Sequence, residues 1–309
     1  MQIFSRENIG EDTSHQCVAT IGFFDGVHRG HRFLLEKVKD EAMNRGFKSM
    51  VITFPQSPSA VLNPANDVPL LNTAEEKIEL LHRAGIDMVA LLPFTTDLAK
   101  LTAGEFMESV LKPQNVKVLL MGYDHRFGHR ENERESDYVA IGRNAGIDVI
   151  RYKPLVSNDG DGQSTVSSSF IRQSLLQGDV HTASQALGYP YSLEGSVVDG
   201  HHVGTSIGYP TANIQVDECK LVPANGVYAV DVRTPDGSVR KGMLNIGRRP
   251  TLDNGSERSV EVNIFDFSGN IYGQRLRVEF KNFVRRERKF DSLDDLKRQL
   301  ASDRQACMC

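Results

Sequence analysis

The chain has no apolar run approaching eighteen residues, which excludes a membrane-spanning helix at the level of sequence. Its polar start, Met1 to Gly10, lacks the order of a signal peptide, so a cytoplasmic location and no membrane partner are expected. Cysteine is scarce: Cys17, Cys219, Cys307 and Cys309 have no zinc-ligand spacing and make no disulfide framework. Cys307-Met308-Cys309 reads as a frayed tail. An excess of charge of one sign is also missing. The net charge is −4, divided as −5 over residues 1–185 and +1 over 186–309, so neither part is a basic surface and nucleic acid is not an expected partner. Small phosphorylated ligands need only local positive charge. What is present, 25% charged and 39% hydrophobic residues over 309 positions, fits a globular protein of two domains.

The two parts differ in pattern. Up to about Gly188, short apolar segments alternate with helical ones. Strands are predicted at Cys17 to Phe24, Ser49 to Phe54, Met88 to Leu92, Lys117 to Met121 and Asp148 to Tyr152, and helices at Arg29 to Arg45, Thr73 to Ala84 and Ala103 to Leu111. Such alternation predicts an α/β domain with a parallel sheet covered on both faces and ligands at the carboxyl ends of its strands. Beyond Gly188 the pattern becomes one of hairpins. Gly226 to Thr234 and Val239 to Asn245 flank Pro235-Asp236-Gly237, and Val260 to Phe267 and Arg275 to Phe280 flank Ser268-Gly269-Asn270. An all-β barrel is expected, closed by a helix from Leu293 to Ser302 with Leu293, Leu296 and Leu300 inward. The change of pattern places the boundary at 185/186.

The most informative run is Ile21-Gly22-Phe23-Phe24-Asp25-Gly26-Val27-His28-Arg29-Gly30-His31. It sets two imidazoles in a glycine-punctuated turn between a strand and a helix, where unpaired N–H groups and the helix dipole favour an anion. Without a ligand, both histidines would be ordinary helix-start residues; a metal site would need ligands that no other His or Cys cluster supplies. Further on, Val166-Ser167-Ser168-Ser169-Phe170-Ile171-Arg172 places three hydroxyls and a guanidinium at a helix start, suited to phosphate oxygens or, more plainly, to an N-cap and a surface charge. In the second part, Gly204 and Gly208 bracket a loop that leads into Tyr209-Pro210-Thr211-Ala212-Asn213. Thr211 and Asn213 are two apart and share a strand face, and two neutral oxygens beside phosphates suit Mg²⁺. Glu261 lies in the alternating segment Ser259 to Phe265, a solvent-facing position unless chemistry uses it.

These motifs resemble the bacterial bifunctional riboflavin kinase/FMN adenylyltransferase family, also called FAD synthetases. F-D-G-x-H-x-G-H resembles the nucleotidyltransferase signature, and Leu71 to Lys77, Gly122 to Gly128 and the Ser167 to Arg172 segment extend the likeness. G-Y-P-T-A-N resembles the magnesium motif of riboflavin kinases, joined by Pro223 to Tyr228, Asn245 to Gly247, Pro250-Thr251 and Ser259 to Phe265. The resemblance implies a nucleotidyltransferase-like domain over 1–185 and a riboflavin kinase barrel over 186–309. It further implies ATP as co-substrate, riboflavin, FMN and FAD as ligands, and Mg²⁺. By position, His28 and His31 act in catalysis of adenylyl transfer. Gly22, Phe24, Asp25, Gly26, Gly30, Asp124, Ser167, Ser168, Ser169 and Arg172 bind ATP or phosphate there, as do Gly204 and Gly208 in the second part. Thr211 and Asn213 hold the metal, and Glu261 is the base. The chain departs from the family at Phe54-Pro55-Gln56-Ser57-Pro58, which lacks a histidine, at His129 to Arg134, where the arginine expected after Phe127-Gly128 is displaced, and at Thr205, where many relatives carry Arg. The charge run Arg285 to Lys289 reads as a solvated face. Two alternatives stay open: a kinase with an impaired adenylyltransferase site, and a non-catalytic flavin-binding regulatory module. The sequence does not set the oligomeric state, and a homo-oligomer is compatible with it.

Overall fold

The computed structural model describes residues 1–4, 14–66, 68–122, 126–129, 137–152, 166–199, 204, 207–250 and 256–308. Asp124, Thr205, Thr251, Cys309, residues 130–134 and 200–203 and the Ser157 to Ser164 loop lie outside them. The chain forms two compact units, Met1–Ser167 and Ser168–Cys309.

In the first unit, β1 (Gln2–Phe4), β2 (Cys17–Ile21), β3 (Lys48–Thr53), β4 (Met88–Leu91), β5 (Val116–Gly122) and β6 (Asp148–Tyr152) form a sheet in the order β1-β4-β3-β2-β5-β6. Each pairing is parallel. The strands alternate between two buried faces. Val18, Val118 and Leu120 pack against Val38 and Ala42 of α1 (Arg29–Arg45). Cys17, Ala19, Ile21, Met50 and Ile52 face the other layer, which holds Ala103, Phe106 and Tyr138. The remaining helices are α2 (Pro58–Leu62), α3 (Ala74–Arg83), α4 (Thr96–Lys100), α5 (Ala103–Phe106) and α6 (Asp137–Ala145). The helix expected over Ala103 to Leu111 continues after Phe106 as a π-turn, Met107–Leu111.

Helix α1 ends where the sequence places its stop. Gly46 takes φ 68°, and the amide of Phe47 reaches back to the carbonyl of Ala42 at 2.8 Å. Strand β2 stops at Ile21, three residues before the expected end, because Phe24 takes a left-handed φ of 52°. The chain winds from β2 through β3 to β4 on one side and then places β5 on the other side of β2. That reversal opens a crevice at the carboxyl ends of β2 and β5, where residues 22–28 lie.

In the second unit, α7 (Ser168–Leu176) and α8 (Val180–Leu187) pack together, and α8 packs on β12. The six strands are β7 (Ser192–Val198), β8 (Ala212–Val216), β9 (Gly226–Arg233), β10 (Val239–Pro250), β11 (Ser256–Ile264) and β12 (Arg275–Arg285). They close a barrel in the order β10-β11-β8-β7-β12-β9. The hairpin of β9 and β10 is as expected, whereas the expected hairpin across Ser268 to Asn270 is not formed. Strand β12 pairs with β7 and β9, while β11 pairs with β10 and β8, since closing the barrel gives each strand two partners elsewhere. The last helix, α9 (Leu293–Met308), is longer than expected. Leu293 is 61% exposed rather than inward, and Cys307, expected in a frayed tail, is buried against Val227, Ala229, Met243 and Phe265. The contacts therefore group residues 168–187 with the barrel, whereas the sequence pattern changes after them.

Candidate active sites

The loop after β2 is held in an unusual conformation from several sides. Phe24, Gly26 and Val27 all have positive φ, 52°, 83° and 34°. For a β-branched valine this costs on the order of 1–3 kcal/mol, and the surroundings must enforce it. Val27 is fully buried and its amide donates to the Phe24 carbonyl at 3.1 Å. Asp25 is 2% exposed, and its Oδ1 accepts the amides of Leu71 at 2.9 Å and Asn72 at 3.3 Å. These two bonds tie the loop to the segment before α3, a scaffolding duty that the sequence does not reveal. Thr53 Oγ1 donates to the Phe23 carbonyl at 3.1 Å, and the Gly22 amide to the Ile52 carbonyl at 3.0 Å.

His28 is the N-cap of α1. Its ring Nδ1 accepts the amide of His31 at 3.3 Å, a task usually left to Ser, Thr, Asp or Asn. With Nδ1 accepting, the neutral ring carries its proton on Nε2 and presents one N–H donor. The His31 ring stacks on that of His28, with centroids 3.6 Å apart and planes 17° from parallel, and Phe24 meets His31 edge-on at 5.1 Å. A Cβ on Gly30 would lie 3.3 Å from His28 Nδ1, so a glycine leaves the ring its place. Burial lowers the His28 pKa from 6.5 to about 4. At neutral pH the residue is an uncharged donor.

This shift has a measurable consequence. Between pH 4 and 6.5 the unfolded chain binds a proton at His28 and the folded chain does not, so stability rises with pH across that window and is flat outside it. The expected span is roughly 3 kcal/mol. Denaturant unfolding of wild type and His28→Asn, which keeps a cap acceptor, should differ by that slope; equal slopes would contradict it.

Beside this loop Lys77 is fully buried. Its Nζ donates to the Phe54 carbonyl at 2.8 Å and sits 3.9 Å from the centre of the Phe23 ring, joining the ends of β2 and β3. Ser57, in the segment that departs from the family pattern, starts α2, with its Oγ 2.7 Å from Ser59 Oγ. Ser167 closes the first unit, and Ser168, Ser169 and Arg172 stand in the first turns of α7 in the second.

The second site is built by register. On β11, Glu261 lies opposite Asn213 of β8 and, on its other side, opposite Asn245 of β10. Asn245 is opposite Val227 of β9, and Val227 opposite Arg285 of β12. One row of side chains thus crosses five strands. A cavity of about 320 Å³ is lined by Gly204, Tyr209, Thr211, Asn245, Glu261 and Asn263, with Val227, Met243, Leu296 and Leu300 supplying apolar wall. Gly204 is required by close approach, since a Cβ there would fall 2.2 Å from the Tyr209 carbonyl, and its own carbonyl accepts the Tyr209 amide at 2.8 Å. Gly208 is exposed at φ 86°.

Asn263 is a site residue that the motif reading passes over. It is 4% exposed, and its Nδ2 donates to the Pro210 carbonyl at 2.6 Å, fixing the turn that presents Thr211. Its place two residues beyond Glu261 on one strand face was the available signal. Within the charge run, Arg286 to Lys289 are exposed as expected, whereas Arg285 is half-buried; Arg285, Glu287 and Arg288, with Phe290, also line the cavity. Thr211, Asn213 and Glu261 offer hard oxygens, the donor set Mg²⁺ takes with phosphate and water. Among the described residues no group of three His, Cys, Asp or Glu could hold a metal by itself, so phosphate oxygens would have to complete such a site.

Comparison with known proteins finds a different family in each part of the chain. Residues 10–170 match the FAD synthetase family and residues 187–308 the riboflavin kinase family. A bifunctional riboflavin kinase/FMN adenylyltransferase of Listeria monocytogenes is 35% identical over 296 residues, covering 96% of this chain and 92% of the relative. One of Haemophilus influenzae is 37% identical over 288 residues, 93% and 92% of the two chains. A crystal structure described as a macrolide-efflux protein of Streptococcus pneumoniae superposes with a TM-score of 0.88 at 33% identity, over 100% of this chain and 99% of that one.

Proposed function

The chain belongs to the bifunctional riboflavin kinase/FMN adenylyltransferase family and makes flavin cofactors from riboflavin and ATP, and we propose that the two reactions divide between the sites described above. In the barrel, Glu261 takes the proton of the ribityl 5′-hydroxyl as its oxygen attacks the γ-phosphorus of ATP, and ADP leaves. Thr211 and Asn213 would hold a Mg²⁺ through their side-chain oxygens, and the ion would neutralise phosphate charge. Gly204 and Gly208 let the backbone approach the phosphates. The register row Asn213–Glu261–Asn245, with Glu261, Asn245 and Thr211 on the wall of one cavity, carries this reading.

In the first unit, the phosphate of FMN attacks the α-phosphorus of ATP and pyrophosphate leaves. That phosphate is already ionised near neutral pH, so alignment and neutralisation suffice. His28 donates from Nε2 to oxygens whose charge grows, with His31 stacked behind it, and the loop from Gly22 to Gly30 holds both in place. Ser167 enters as a phosphate ligand through its motif, and Asp25 acts by anchoring the loop. The functional division falls at 185/186.

Incubation of the purified protein with riboflavin, ATP and Mg²⁺, followed by chromatography of the flavins, tests the reading. FMN should appear first and FAD after it; riboflavin recovered unchanged would overturn it. A parallel incubation with FMN and ATP separates a full enzyme from one whose departure at Phe54 to Pro58 has disabled adenylylation. Among the described residues no helix is long and apolar enough to cross a membrane.

A further inference from the structure

We propose that Asp303 is a positioning residue for the ring end of the flavin, acting through Arg285; this rests on riboflavin being the substrate of the barrel cavity. Asp303 of α9 is 1% exposed, and its carboxylate takes the fork of Arg285 at the end of β12. Arg285 Nε donates to Oδ1 at 2.9 Å and to Oδ2 at 3.0 Å, and Nη2 to Oδ2 at 2.7 Å. Gln299 Nε2 donates to Oδ1 at 2.7 Å, and Arg285 Nη1 donates to the Arg286 carbonyl at 3.0 Å. All three guanidinium nitrogens are thus engaged within the protein, and a carboxylate matches the charge.

Both residues line the cavity. A guanidinium locked in this way is no longer an anion ligand. It is a flat, charge-compensated plate, set 5.7 Å from the Phe290 ring, whose other near neighbour is the Arg288 guanidinium at 4.6 Å. Val227, Met243, Leu296 and Leu300 complete an apolar surround. Along the register row, Arg285 is three strands from Glu261, at most about 14 Å at the usual strand spacing. That separation accommodates a substrate with a hydroxyl chain at the carboxylate and a planar, uncharged heteroaromatic ring at the plate. The wall selects the ring by shape, and Asp303 sets the wall.

In Asp303→Asn the amide offers one acceptor where the fork needs two, so the guanidinium is released with its charge uncompensated. The expected result is a KM for riboflavin raised about tenfold or more with kcat within about twofold, and an unchanged KM for ATP. Quenching of riboflavin fluorescence on binding without ATP should show the same loss of affinity. Arg285→Lys keeps the charge pair but loses the plate, and the same pattern is expected; this variant carries the test if Asp303→Asn does not fold. A retained kcat at saturating riboflavin reports that the barrel of the variant is folded. A residue that only staples α9 would lower the melting temperature and leave the riboflavin KM of the folded fraction unchanged. That outcome, or a fall in kcat at constant KM, would overturn the proposal. Wild-type protein that bound no riboflavin would instead overturn the substrate reading beneath it.

Discussion

Glu261→Gln should reduce kcat for riboflavin phosphorylation by about 10²- to 10⁴-fold, the range that a positioned general base contributes. Gln keeps the shape and polarity of the side chain and removes only the ability to take a proton, so substrate affinity should change little. The argument comes from the neighbours. Glu261 stands between Asn213 and Asn245 in register, on the wall of a cavity that also presents Thr211, and two residues from the buried Asn263 that pins the turn before Thr211. A carboxylate on a solvated strand face has no such company. Adenylylation of supplied FMN should stay within about twofold of wild type, because that chemistry uses other residues. Initial rates with riboflavin alone and with FMN alone, read by chromatography, give both numbers from one preparation. Phosphorylation at the wild-type rate would make Glu261 a bystander, and loss of both activities together would contradict separate sites.

Where function depends on neighbours in sequence, it was legible. Strand β2, the turn and α1 are contiguous, and the apolar run, the glycines and the stop at Gly46 mark them within a few residues. Partners distant in sequence were not. The segments on either side of Ser268 to Asn270 alternate well enough for a hairpin, but alternation says which face a residue takes and nothing about which strand lies beside it. Arg285 looked solvated because its counter-ion, Asp303, comes eighteen residues later on another element. The inward stripe of α9 runs through Leu296, Leu300, Asp303 and Cys307, and an aspartate in that stripe ends an apolar pattern when hydrophobicity alone is followed. Asp25 shows the converse. Its loop looked like a ligand loop, and its buried carboxylate accepts two amides of the segment before α3.

Removal of the His28 ring should be nearly as damaging to the other reaction. A preorganised donor aimed at growing charge is worth about 10²–10³ in kcat, and His28 presents one such donor, Nε2–H, because its Nδ1 is committed to the His31 amide. His28→Ala removes donor and cap together, and loss of the cap alone costs about 0.5–2 kcal/mol of stability. His28→Asn separates the two: its short amide can still cap α1 but cannot place a donor where the imidazole Nε2 lies. The expected result is an adenylylation rate down by about 10²–10³ in both variants, with riboflavin phosphorylation retained and the stability loss largely confined to His28→Ala. Neutrality gives a further check. With its pKa held near 4 by burial, His28 keeps the same protonation state from pH 6 to 8, so its contribution to the rate should not decay as an imidazolium's would. The ratio of wild-type to His28→Asn rates should therefore stay level across that range. A ratio that fell steeply with rising pH would show that the ring works as a cation, and the neutral-donor account of this site would have to be abandoned.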